Sequence, residues 1–158
     1  MLSTLLRGGC VQLGGNNMGY TITATNSKYS FNGGGGGFYN LRKNIAKAFD
    51  AELGRHYETL GYCITLADYE AFDTEAERIL NQPRFKEEDY DVIDFFFSSD
   101  MAGSISYKTC KKIYDLIKDI DFGNQIFTYA AHSKGDDYEQ FKAFLLDCYK
   151  RRAKMKWN

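Results

Sequence analysis

The sequence predicts a single α+β domain, with an N-terminal β-hairpin and a short C-terminal strand packed with about five amphipathic helices. Three observations carry this reading. Tyr20, Ile22 and Ala24 alternate with Thr21, Thr23 and Thr25, the period of a half-buried strand. Several later segments repeat apolar residues at helical spacing, each bounded by capping or breaking residues. The chain has 158 residues, 44% hydrophobic and 26% charged, a length and balance suited to one core.

The elements follow in order. After the Tyr20 strand, Asn26-Ser27 marks a turn and Lys28 to Phe31 returns as the second strand of the hairpin. Asn32 and five glycines, Gly33 to Gly37, come next. Leu41, Ile45, Ala48, Phe49 and Leu53 then share one helical face, with Asn40 as N-cap and Gly54 or Gly61 as the stop. Thr65 with Asp68 has the pattern of a capping box, and Leu66, Tyr69, Phe72, Ala76, Ile79 and Leu80 form the apolar stripe behind it. Asn81-Gln82-Pro83 ends that helix, since proline cannot continue a helix interior. A third helix runs from Lys86 or Glu87 to Phe97, with acidic residues in its first turn complementing the helix dipole. Ser98 to Gly103 reads as a turn in which Gly103 supplies a positive φ. Ser106 caps a fourth helix whose stripe is Cys110, Ile113, Tyr114, Ile117 and Ile120. Ile126 to Ala130 is β-like but short. Asp136 with Glu139 predicts a second capping box, opening a helix that carries Tyr138, Phe141, Phe144, Leu145, Cys148 and Tyr149. Met155 and Trp157 alternate with Lys154 and Lys156 in a short terminal strand or extended tail.

Residues 1–17 stand apart. Gly8 to Asn17 has neither strand nor helix period, and Gly14-Gly15 can be encoded by a ribosome-binding sequence spaced suitably before Met18. This segment is expected to be a leader or a flexible arm, and residues 18–158 the globular domain.

Composition narrows the function. The net charge of −1 argues against non-specific nucleic-acid binding, which needs a basic surface, and against DNA mimicry. None of Cys10, Cys63, Cys110 and Cys148 forms a Cys-x-x-Cys pair, so neither a disulfide framework nor a zinc site is expected and the compartment reads as reducing. No apolar run has the length of a membrane span, and a cytoplasmic location is expected. Twelve Tyr and twelve Phe supply large apolar area for a core, and tyrosine also suits binding surfaces.

Three places merit chemical scrutiny. The glycine run can aim successive N–H groups at an anion ahead of a helix N-terminus. The candidate anion-binding residues are Gly35, Gly36, Gly37, Phe38 and Tyr39, with Arg42 and Lys43 as countercharge. The run is neither a P-loop, lacking Lys-Ser/Thr, nor a dinucleotide fingerprint; the alternative is a flexible linker. The turn at Ser98 has the outline of a calcium loop, but only Asp100 offers a carboxylate, too few ligands for calcium. His56 and His132 have no catalytic signature around them, so no catalytic residues, cofactor or metal are assigned.

Met18-Gly19-Tyr20, the helix opening at Phe38-Tyr39-Asn40-Leu41-Arg42, Ser99-Asp100-Met101-Ala102-Gly103-Ser104-Ile105 before a Cys110-bearing helix, and the aromatic helix Phe141 to Tyr149 with its terminal strand together resemble a family of small uncharacterised bacteriophage and prophage proteins. The resemblance covers most of residues 18–158 and implies a phage accessory protein in the host cytoplasm. Its leading function would be inhibition of a bacterial antiviral defence by binding a host protein, in the manner of anti-CRISPR proteins, through an exposed Tyr/Phe surface. The alternatives are a sponge for a nucleotide signal, of the anti-CBASS or anti-Thoeris kind, an enzyme acting on such a signal, and a virion assembly protein.

Overall fold

The computed structural model describes residues 19–158; the expected leader, residues 1–17, lies outside them. Strand β1 (Tyr20–Thr23) and strand β2 (Phe31–Gly33) form the hairpin, with Tyr20 opposite Gly33 and Ile22 opposite Phe31. The return strand thus begins later than the expected Lys28 to Phe31. The loop widens because Asn26 adopts φ 60°, a left-handed conformation that asparagine tolerates.

The remaining strands, β3 (Gly103–Ile105) and β4 (Met155–Trp157), complete a four-stranded antiparallel sheet of order β2-β1-β4-β3. The terminal segment is therefore an interior strand, with Ile22 facing Trp157 on one side and Ile105 facing Met155 on the other. Its alternation is plain: Met155 and Trp157 are buried and Lys156 is exposed.

The helices are α1 (Gly35–Phe49), α2 (Ala51–Glu58), α3 (Leu66–Leu80), α4 (Tyr90–Phe97), α5 (Tyr107–Ile117) and α6 (Asp137–Arg151). Short 3-10 turns at Thr59–Tyr62 and Glu87–Asp89 lead out of α2 and into α4. Helix α1 is central and packs on α2, α4 and α5, while α5 packs on α6. None of the described helices is long and apolar enough to cross a membrane.

Where a single helix is expected from Leu41 to Leu53, the chain breaks at Asp50 (φ −156°, ψ 126°). The apolar stripe runs through the break, so periodicity alone cannot reveal it. Asp50 instead caps α2, its carboxylate accepting from the Leu53 N–H at 3.0 Å, a local alternative to continued helix. Arg84 binds both Asp50 and Glu52 at 2.8 Å and fixes the corner. Gly54 lies inside α2 rather than ending it, and a Cβ there would stand 2.5 Å from the Lys47 backbone.

The glycines also differ from expectation. Gly33 belongs to β2, Gly34 is the N-cap, and Gly35 to Gly37 form the first turn of α1, well ahead of Asn40. Packing explains two of them. A Cβ on Gly37 would lie 2.0 Å from the Phe127 carbonyl oxygen, and one on Gly33 would lie 2.5 Å from the same atom. The Tyr20 hydroxyl donates to that carbonyl as well. The run thus lets segment 126–129, which is not a strand, press its backbone onto the helix start. At Gly36 an added methyl group would meet no neighbour within 4 Å. Gly36→Ala is therefore expected to stabilise by about 0.4–1 kcal/mol, and Gly37→Ala to destabilise by about 1–3 kcal/mol. Thermal melts of the two variants decide it; equal shifts would show that Phe127 does not pack on Gly37.

One cap and one turn also depart from the sequence reading. Asp136 precedes α6 without a side-chain cap bond. Its neighbour Asp137 turns backward instead and accepts from the Phe127 and Thr128 N–H groups, both at 2.9 Å, and from the Thr128 and Ser133 hydroxyls. Gly103 has no positive φ; it is small because the Trp157 indole lies on it, 2.2 Å from where a Cβ would be.

Candidate functional site

Of the residues expected at an anion site, Gly37, Phe38, Tyr39, Arg42 and Lys43 are engaged separately. The Gly37 and Phe38 N–H groups donate to the Gly34 carbonyl at 3.0 and 3.1 Å. The Phe38 ring is buried against Tyr20. Tyr39 stacks on Tyr57 and donates to the Glu58 carbonyl at 2.6 Å. Lys43 lies over Tyr39 and bonds Asn40. Arg42, expected as countercharge, is fully buried. Its guanidinium donates to the Ser98 carbonyl at 2.9 Å and to the Ser99 carbonyl at 3.2 Å, against the rings of Phe38, Phe95 and Trp157. Burial pulls its pKa below the usual arginine range, opposed by Tyr57, Asp100 and Asp94. Arg42 thus ties α1 to the Ser98 turn, where the Trp157 Nε1–H also donates to Ser99 at 3.0 Å.

The expected Tyr/Phe surface takes another form. All the phenylalanines serve the core, Phe49 being half-buried and the others buried. Among the described residues, the most exposed large apolar side chains lie instead at the corner between α2 and α3, where Tyr62 is 80%, Ile64 85% and Leu66 71% exposed. Leu66, read from periodicity as part of the buried stripe of α3, sits on the first turn and faces solvent, because the turn overhangs the core that begins at Phe72.

The backbone under this ridge is held firmly. Leu60 is buried, and Gly61 sits close beneath the Tyr39 hydroxyl. The Thr65–Asp68 capping box forms as expected: the Asp68 carboxylate accepts from the Ile64 and Thr65 N–H groups at 2.9 Å, and the Thr65 hydroxyl accepts from the Asp68 N–H at 3.1 Å. Those bonds hold the Asp68 carboxyl below its ordinary range. In such caps the residue before the N-cap packs on the fourth helical residue. Ile64 and Tyr69 occupy those positions, yet Ile64 stays almost fully exposed. The ridge is ordered by polar bonds while its apolar faces remain open.

Behind the ridge is a cavity of about 280 Å³ lined by His56, Thr59, Tyr62, Cys63, Asp68 and Phe72, with Ala71 at its edge. His56 stacks on Phe72 at 4.4 Å and its Nε2 lies 2.8 Å from the Phe72 carbonyl. The Cys63 thiol is pushed up by burial and by the carboxylates of Asp68 and Asp73, and a protonated thiol is not an activated nucleophile. His132 is exposed and lines a different cleft. Helix α3, which starts at the ridge, carries Asp68, Glu70, Asp73, Glu75 and Glu77 against Arg78 alone, and is acidic along its length.

Sequence periodicity could not locate the ridge, because Ile64 and Leu66 look like ordinary core residues. The available signal was an unusually apolar Tyr62-Cys63-Ile64 run immediately before a complete capping box. Compared with known protein families, curated proteins and solved structures, the chain matches none.

Proposed function

We propose that the protein is a phage accessory inhibitor that disables a bacterial defence protein by docking the Tyr62–Ile64–Leu66 ridge into it. The observation that supports this reading is the exposure of three large apolar side chains on one rigid corner. Exposed apolar clusters on an ordered backbone suit interfaces, because little entropy is lost when they are covered. The acidic surface of α3 favours a partner with an apolar pocket rimmed by lysine and arginine, since complementary charge steers encounter and excludes wrong partners.

The test expresses the chain in bacteria carrying one defined defence system at a time and measures phage plating. Wild type is expected to restore plating against one system and to co-elute with a component of it. Ile64→Asp and Leu66→Asp should each cost roughly 2 kcal/mol of binding, about thirtyfold in affinity, with an unchanged melting temperature. Full activity in the double variant would overturn the docking surface; no restored plating against any system would overturn the inhibitor reading.

A further inference from the structure

A second cleft, of about 300 Å³, opens between the hairpin and the start of α6. It is walled by Lys28, Tyr29 and Asn32 on one side and by His132, Lys134 and Asp136 on the other. Lys28 and Lys134 have no carboxylate ion-pair partner among the described residues, whereas Lys47, Lys111, Lys112 and Lys142 do. The 15-residue helix α6 begins at the cleft, and no side chain caps it. Its positive dipole end, offset in part by Asp137 and Glu139 in the first turn, lies on the same side as the two ammonium groups.

Two carboxylates also line the cleft, and they define the ligand. Asp137 is saturated: one oxygen accepts three bonds, from the Phe127 N–H and from the N–H and hydroxyl of Thr128, and the other accepts from Ser133. Asp136 accepts only from the Gln140 amide, at 3.2 Å, and retains acceptor capacity. A bare anion would meet its charge unfavourably. A ligand carrying an anion at one end and hydroxyl or amino donors at the other satisfies both the lysines and Asp136. The Tyr29 ring, braced edge-on by Phe144 at 6.2 Å, supplies a flat wall.

We propose that this cleft binds a small phosphorylated sugar or nucleotide, its phosphate held by Lys28, Lys134 and His132 and its hydroxyl or amino groups by Asp136. This site is separate from the docking ridge and from the glycine run, and it does not depend on the inhibitor reading.

Titration calorimetry at low salt with AMP, ribose 5-phosphate, adenosine and inorganic phosphate tests it. AMP and ribose 5-phosphate are expected to bind at sub-millimolar concentration, and adenosine and inorganic phosphate at least tenfold more weakly. Replacing Lys28 and Lys134 together by Ala should weaken AMP binding more than tenfold without moving the melting temperature, and raised salt should weaken it further in wild type. Asp136→Asn, which removes the charge and keeps the size of the side chain, should narrow the preference for AMP over inorganic phosphate. The Ile64→Asp/Leu66→Asp variant should bind AMP as wild type does, so the two sites stand or fall separately. Absence of binding by both phosphorylated sugars, binding indifferent to the lysine substitutions, or a preference for inorganic phosphate would each overturn the proposal.

Discussion

Arg42→Ala is expected to destabilise the protein by about 3–5 kcal/mol, combining a buried cavity with the loss of charged hydrogen bonds. The guanidinium joins α1, the Ser98 turn and the end of β4 at one point, bonding the Ser98 and Ser99 carbonyls while lying 4.3 Å from the Phe38 ring centre. Alanine takes the donor from the Ser98 carbonyl, leaves the Ser99 carbonyl with the Trp157 N–H alone, and empties the space between Phe38, Phe95 and Trp157. Lys43→Ala, one residue on and half-exposed, should cost under about 0.5 kcal/mol. Urea unfolding of both variants measures the contrast. Equal small losses would mean that Arg42 is not buried and is free to meet a ligand, which would return it to an anion-binding role beside the glycines.

Trp157→Ala should cost a similar 3–5 kcal/mol, although it lies next to the last residue described. Its indole contacts Phe38 and Phe95 at 5.7 and 5.6 Å between ring centres, covers Gly103, and donates to Ser99. Because β4 lies between β1 and β3, losing this anchor loosens two ladders together. Lys156→Ala, on the open face of the same strand, should be nearly neutral. Against a typical domain stability of about 5–15 kcal/mol, the tryptophan variant would unfold at markedly lower urea. A loss no larger than that of Lys156→Ala would show that β4 is a frayed tail and not an interior strand.

The α+β architecture was legible wherever period and punctuation agreed. Thr65 and Asp68 announce α3 at the right residue, Ser106 announces α5, and the alternation at Tyr20 announces β1. What stayed hidden depends on contacts distant in sequence. The break at Asp50 is fixed by Arg84, the first turn of α1 by the Phe127 carbonyl, and the strand at Gly103 by pairing with β4. The same limit applies to the sites. Arg42 and Phe38 looked available beside the glycines, but their burial is set by Ser98, Phe95 and Trp157. Lys28 and Lys134 line one cleft that no local motif could have revealed.

The pairing of β1 with β4 also bears on how the fold is reached. Neighbouring segments such as α1 with α2 and α5 with α6 can associate early, since little chain separates them. The sheet cannot close until both ends of the described chain meet, a step that carries the entropy of a long loop. Once closed, that ladder makes the intervening helices one cooperative unit. The amide protons of Thr21 and Asn158, which bond across it, would then exchange with solvent only when the whole domain opens.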